Sequence, residues 1–532
     1  MLFRTWALPL ALIALPAAAL AQSALPAPIE TQDLQQLDAW SVSALARNAG
    51  ALPTDMWAHS DPAFVAALFD KLPASFESPA QQRIVRRVLL SGASAPPGDA
   101  AQAARKRFEA LGRIGFGDEL ATMAGGAGAS LTDPLIAQYA AQAELARGNR
   151  AGACERGRNA SSDQPALFMM RLRAYCAAVT GDRAAADLAL QLASGGAPAD
   201  NAWYSAAVAA AGGAPGRTLP VARYDNSLNV QLSIAAGLRP GPNALASASS
   251  LALVALARNE RTPQPTRAQA AALAFRRGLL SVDEARTLLL ATPGDVTTGL
   301  PPIAAALRTV QASPGSLDAA TAIAGVLRQA TTPADFTAAS LLFKADIAAL
   351  TTAPDPGATL LFARAALAAN DASLAARLTQ SARSTGLDGT ALAPLEAALA
   401  VAQRAQGDAA MAAVHRRIDA GGAAMARAAS RDVAIMAALG MPLDGAAQSF
   451  LLANAPQGGA RGEPAAMASL AAAMERRAPA DAALLVVAAS GDGPAKLDAE
   501  TLAYLLRVLR SIGLEDEARR MAVEAILAGQ PS

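Results

Sequence analysis

Two cysteines, two histidines and three runs of adjacent carboxylates are the residues of this 532-residue sequence best suited to chemistry. Cys154 and Cys176 lie 22 positions apart. Two thiolates leave a zinc tetrahedron half complete, and no histidine or further cysteine stands near them. Their spacing also excludes a C-x-x-C redox dithiol. His59, in "MWAHSDP", adjoins an expected helix cap, and His415, in "AAVHRRID", lies beside two arginines on an expected helix. Both read as surface histidines. Asp118-Glu119, Asp283-Glu284 and Glu515-Asp516-Glu517 all fall near expected helix N-termini. There the aligned peptide dipoles favour negative charge, which accounts for them without general acid–base work. No G-x-S-x-G elbow, H-E-x-x-H pair or Walker A loop is present. In "GRIGFG", 112–117, the glycines stand in the wrong order for a dinucleotide site. The expectation is therefore a chain with no catalytic, cofactor-binding or metal-ligating residues, and no cofactor.

The N-terminus sets the compartment. "MLFRTWALPLALIALPAAALAQS" joins Arg4 to an apolar run from Ala7 to Leu15, followed by small residues ending Ala19-Leu20-Ala21. This is the pattern of a secretory signal peptide, residues 1–21, cleaved after Ala21. The run falls short of the roughly 18 to 20 uninterrupted apolar residues of a spanning helix, and no cysteine follows the cleavage site to carry a lipid. The mature chain is expected to be periplasmic or secreted, with no stable membrane insertion. In that oxidising setting Cys154 and Cys176 are expected to form a structural disulfide.

Cleavage leaves 44 basic against 44 acidic residues. A nucleic-acid-binding face needs a clustered basic excess, so no nucleic-acid partner is expected. The densest basic run, "ARKRFEALGR" at 104–113, reads as a solvated helix face.

The elements that must position these residues are almost all helices, with apolar residues recurring at three and four. Start signals repeat: Asp61-Pro62, Ser78-Pro79, Asp133-Pro134 and Thr332-Pro333 each offer a capping oxygen followed by proline in the first turn. Ser281 and Glu284 form a capping box. "RYDNSLNVQLSIAAG", 223–237, is the one stretch ambiguous between strand and helix. Gly148-Asn149-Arg150-Ala151 recurs 33 residues later as Gly181-Asp182-Arg183-Ala184. Each copy links two helices, the glycine ending one and Asn or Asp capping the next. Related turns stand at Asn370-Asp371, Gly407-Asp408 and Gly513.

A period near 34 with this helix–turn–helix pattern resembles tetratricopeptide repeats (TPR) over 131–192, 357–437 and 495–530, without the W-x2-L-G-x2-Y run. The expected fold is all-α, a TPR-like α-solenoid of stacked antiparallel hairpins, with an irregular multi-helical array as the alternative. Three soft units follow the signal peptide: 22–125, 131–350 and 357–532. Cys176 shares a stripe with Phe168, Leu172 and Val179, so a Cys154–Cys176 bond would pin one hairpin to the next.

A solenoid of this kind works through its surface. Trp40, Trp57, Trp203, Tyr204 and Tyr224 are the candidate partner contacts, since such rings are enriched at binding hot spots; the competing role is filling gaps that alanine leaves. The expected function is an exported, non-enzymatic scaffold or regulator acting on envelope proteins in the bacterial periplasm. The alternative is a cell-wall glycan-binding protein or enzyme with its site in a solenoid groove. Alanine richness alone also suggests an ice-binding helix, but the required row of threonines at an eleven-residue spacing is missing.

Overall fold

The computed structural model describes residues 38–127, 133–160, 166–291, 299–420 and 422–528. The expected signal peptide, 1–21, lies outside the described residues. Among those described there are 27 α-helices and no strand beyond one bridge between Ala460 and Leu497. The fold is all-α.

The chain begins with α1 (Pro62–Lys71), α2 (Pro79–Leu90), α3 (Ala101–Ile114) and α4 (Gly117–Gly126). The turn pair identified from sequence lies within α5 (Pro134–Ala146), α6 (Arg150–Asn159), α7 (Leu167–Val179) and α8 (Arg183–Leu192). A middle stretch follows: α9 (Pro198–Ala211), α10 (Ser227–Ala235), α11 (Ser250–Arg258), α12 (Gln264–Arg276) and α13 (Val282–Leu290). It continues through α14 (Pro302–Ala312), α15 (Leu317–Gln329), α16 (Pro333–Leu342) and α17 (Lys344–Ala349). The last ten are α18 (Pro356–Ala368), α19 (Ala372–Ser384), α20 (Gly389–Ala402), α21 (Gly407–Asp419), α22 (Gly422–Ala438), α23 (Gly445–Ala453), α24 (Pro464–Arg476), α25 (Pro479–Ala489), α26 (Ala499–Ser511) and α27 (Glu515–Ala528).

Consecutive helices pack as hairpins, most closely α7 with α8, α11 with α12, α18 with α19 and α24 with α25. The start signals act as expected. Asp61, Ser78, Asp133, Ser281 and Thr332 are N-caps, each accepting a hydrogen bond from an amide two or three residues on. At the repeated turn, Gly148 and Gly181 take φ of 79° and 84°, a conformation costly for other residues. Asn149 and Asp182 then cap α6 and α8. The turn before α21 differs: Arg404, at φ 57°, is the left-handed residue after α20, and the N-cap position is Gln406, which makes no side-chain cap. The ambiguous 223–237 stretch is helical over Ser227–Ala235, as α10, capped by Asn226.

Stacking does not run open-ended. Helices α25 and α27 pack against α2, and α25 also meets α1, so the last helices return to the first. The described residues cluster as one unit. The returning contacts include buried polar pairs. Glu517 on α27, with a fully buried side chain, receives Arg83 at 3.2 Å and also pairs with Arg87, both from α2. Gln81 donates to the Val487 and Gly491 carbonyls at 3.4 and 3.1 Å, and Ser60 donates to Asp481 at 2.8 Å. On another face of α2, Gln82 reaches the Arg277 carbonyl.

The basic run 104–113 is not a solvated face. Arg107 is 1% exposed and donates to the carbonyls of Leu89, Ala39, Trp40, Val42 and Ser91 at 2.7 to 3.3 Å. Burial pushes its guanidinium down to about 10, which still leaves it charged at neutral pH. Five carbonyl dipoles supply the solvation that water would give. Arg105 pairs with Asp133, Lys106 with Asp70, and Arg113 donates to the Phe69 and Leu72 carbonyls. Segment 38–42, α1 and the Asp133 cap of α5 supply the partners of these charges, of which Arg105 alone stays largely exposed.

Because Glu517 compensates two arginines, Glu517→Ala should cost about 2 to 4 kcal/mol at neutral pH, seen as a lower urea midpoint. Asp492→Ala, which removes a fully exposed partner of Lys496, should leave the midpoint unchanged.

Candidate functional site

Residues from three carboxylate runs meet arginines rather than each other. Arg258 on α11 grips Asp118 with two bonds of 2.9 and 2.8 Å and Glu284 with two of 2.7 and 3.1 Å. The Arg258 guanidinium holds the Asp118 carboxyl below its usual range, the state of a structural ion pair and not of a proton donor. Glu517 belongs to the α2 contact already described. His59 is exposed, while His415 faces Asp444 at 2.9 Å on the partly exposed side of α21. Among the described residues no group of three or more His, Cys, Asp and Glu is placed to hold a metal ion, and no helix is long and apolar enough to cross a membrane.

The two cysteines are joined. Cys154 on α6 and Cys176 on α7 form a disulfide with Cα atoms 5.9 Å apart. Leu172 on the Cys176 stripe is fully buried, and Phe168, Cys176 and Val179 pack against the core. The bond therefore ties the second helix of one hairpin to the first helix of the next.

The aromatic candidates are core residues. Trp40, Trp57, Trp203, Tyr204 and Tyr224 are all at most 6% exposed, so they do not present a contact face. Trp57 sits edge-on to Trp40 and Phe69, with ring centroids 5.9 and 5.6 Å away. Trp203 and Tyr204 meet edge-on at 5.0 Å, capped by the guanidinium groups of Arg223 and Arg171. Trp203 donates to the Val221 carbonyl and Tyr204 to Asn229. In a core built from alanine these rings fill the spaces between helices that small side chains leave open.

Among the described residues two concavities stand out, and neither is marked by a motif. The first is a groove of about 650 Å³ between α12, the start of α14, the end of α15 and α16. Thr266, Gln269, Leu273 and Arg276 face it from α12, at the three-four-three spacing of one helix face. Val326 and Gln329 of α15 and Asp335, Ala338 and Ala339 of α16 form the opposite wall, with Ile303 below. Its charges are spoken for: Arg276 bonds Asp335, Glu77 at 2.7 Å and Thr332 at 3.3 Å. Gln269 donates to the Gly299 carbonyl at 2.7 Å. The side chains of Asn243, Thr266 and Gln329 have no hydrogen bond among the described residues. An apolar floor with a few uncommitted neutral polar groups is the usual make-up of a binding site of this size.

The second concavity, about 910 Å³, is formed by three consecutive helices, α19, α20 and α21. Its one strongly held carboxylate, Glu396, pairs with Arg383 and, at 3.5 Å, with Arg416. The sequence signals for both grooves are weak. The face of α12 can be found by its spacing, but Thr332 and Asp335 read there only as a helix start.

Comparison with known proteins finds no match, whether with family models, curated proteins or solved structures.

Replacing either cysteine by serine should cost about 3 kcal/mol, the chain-entropy value for a loop of this length. Alkylation without reductant, read by mass spectrometry, should find no free thiol in exported protein; two alkylated cysteines would refute the disulfide.

Proposed function

We propose that this chain is an exported, TPR-like helical-repeat protein that binds an extended, uncharged and largely apolar polypeptide segment in the groove between α12 and α16. The carrying observation is the pairing of an apolar floor with Asn243, Thr266 and Gln329, neutral side chains with no hydrogen bond among the described residues. An extended backbone carries donors and acceptors but no charge, which suits those three side chains. The charged residues of the groove wall already neutralise one another through Arg276. For the same reason acid–base chemistry is disfavoured here: Asp335 is held by an arginine and Thr332. Export is supported by the signal-peptide pattern and by the disulfide, which persists in oxidising compartments. TPR-like organisation is supported by the repeated Gly-Asn and Gly-Asp turns and by the packed hairpins, and a scaffold or regulatory role in the envelope follows from groove binding by a stacked helical surface.

Peptides selected from a displayed random library on the full chain should be rich in apolar residues. Gln329→Trp, at an exposed position on the groove wall, should weaken the best of them at least tenfold with an unchanged melting temperature. Gln403→Trp, at an exposed position of the second groove, should not. Equal binding by the Gln329 variant would exclude this groove. N-terminal sequencing of protein recovered from the periplasm should begin at Gln22; a chain still starting at Met1 would exclude cleavage.

A further inference from the structure

The contact of the last helices with α2 contains a partly buried carboxyl group with one sealed oxygen and no counter-charge beside it. Glu524, on α27, accepts from the Ala80 amide in the first turn of α2 at 3.1 Å through Oε2, while Oε1 has no hydrogen-bond partner and no exposure to water. The Ser78 side chain and the backbone of Gly493 lie alongside.

The charged groups on the packed helices are committed elsewhere. On α2, Arg83 and Arg87 belong to Glu517. On α18, Arg364 donates to the Leu527 carbonyl, and on α22 Arg431 donates to those of Ala525 and Ala495. On α26, Arg510 bonds Glu515 and the Ala438 carbonyl. On α20, Glu396 is taken by Arg383 and Arg416, and Lys496, just before α26, by Asp492. On α27 itself, Arg519 pairs with Glu515, and Arg520 feels Glu517, Asp516 and Arg83. A second carboxyl sits at the same seam: Asp481 of α25 accepts from Ser60 before α1, beside Asp61, with Arg476 of α24 at 3.6 Å.

We infer that the seam between α2 and the last helices is a proton-operated latch, held closed while Glu524 is protonated and loosened when it ionises. An ionised carboxylate with one oxygen shut off from water and unpartnered, and no cation beside it, is disfavoured, so the closed seam favours the neutral acid. Burial pushes the Glu524 carboxyl up to about 7, against the pull of the Ser78 hydroxyl and the Ala80 amide. Burial likewise pushes Asp481 up to about 6, against Ser60 and Arg476. Both values lie above those of free carboxyl groups, so the closed form binds the proton more tightly than the open form. The stabilisation is therefore fully present at acidic pH and is lost as pH rises through about 6 and then about 7. Ionic pairing at Glu517 keeps the helices associated while the first turn of α2 releases.

Hydrogen exchange of the full chain, followed by mass spectrometry from pH 5.5 to 8.5 and corrected for intrinsic rates, tests the latch. Peptides covering α2 and α27 should open at least tenfold more at pH 8.5 than at pH 5.5, with a midpoint near 7, while those of the α18–α19 hairpin stay constant. Glu524→Gln, which is neutral at every pH, should abolish the part of the change near pH 7 in α2 and leave only the smaller part near pH 6 that Asp481 carries. Asp481→Asn should remove only the part of the change near pH 6. A flat wild-type profile overturns the proposal without any variant, as does a Glu524→Gln profile that retains the wild-type pH dependence.

Discussion

A helical array that turns back on itself must bury polar groups where its ends meet, and the rest of this fold depends on how α2 satisfies them. Helix α2 carries Gln81, Gln82, Arg83, Arg86 and Arg87, a surface that belongs in water if the helix lies at an edge. Here each of them has a partner: Gln81 on carbonyls after α25, Gln82 on the Arg277 carbonyl, Arg83 and Arg87 on Glu517, and Arg86 on Glu119. One helix thereby touches the beginning, middle and end of the chain. Because a buried pair contributes little relative to a well-packed apolar contact but is expensive to break, such bonds set which helices meet more than how strongly they hold. The apolar neighbours Ile84, Val85, Val88 and Leu89, all fully buried, supply the attraction.

Much of the local structure is legible along the chain, because caps and turns are short-range events. Asp61, Ser78, Asp133, Ser281 and Thr332 act on amides within three residues, so neighbouring sequence is enough to read them. The same holds for the disulfide, once a helical stripe and an oxidising compartment are combined. What is not legible is the fate of a charged residue whose partner is far away. Arg107 and Glu517 look like ordinary surface charges in their own helices. Only the presence of segment 38–42 over one, and of α2 over the other, turns them inward. Carboxylates at helix starts show both outcomes: Asp118 and Glu284 sit in first turns as expected, yet their strongest partner is Arg258, from a different helix.

Alanine explains why the aromatic residues were attractive as contacts and why they are not. Helices lined by alanine approach closely, as at Ala140, Ala141 and Ala143 of α5 or Ala482 and Ala483 of α25, all fully buried. Close approach leaves few places that accept a large ring. Those places lie where the chain leaves regular stacking: Trp40 and Trp57 are in the irregular segment before α1, and Trp203 and Tyr204 precede the long connection to α10. A rare tryptophan in an alanine-rich chain thus marks a change of packing direction rather than an exposed surface.

The groove escapes sequence reading for the complementary reason. It is assembled from segments spread between Pro240 and Ala339, and its polar members are ordinary helix or turn residues whose meaning comes only from what stands opposite. Its position ties it to α2. Glu77, the residue before the Ser78 cap, bonds Arg276 on the groove wall, and Arg276 also holds Asp335 on the other side. One guanidinium therefore fixes three separate segments and, with them, the width of the groove. Walls held by such a shared bond are pre-ordered, and pre-ordering lowers the entropy that binding in any such groove costs.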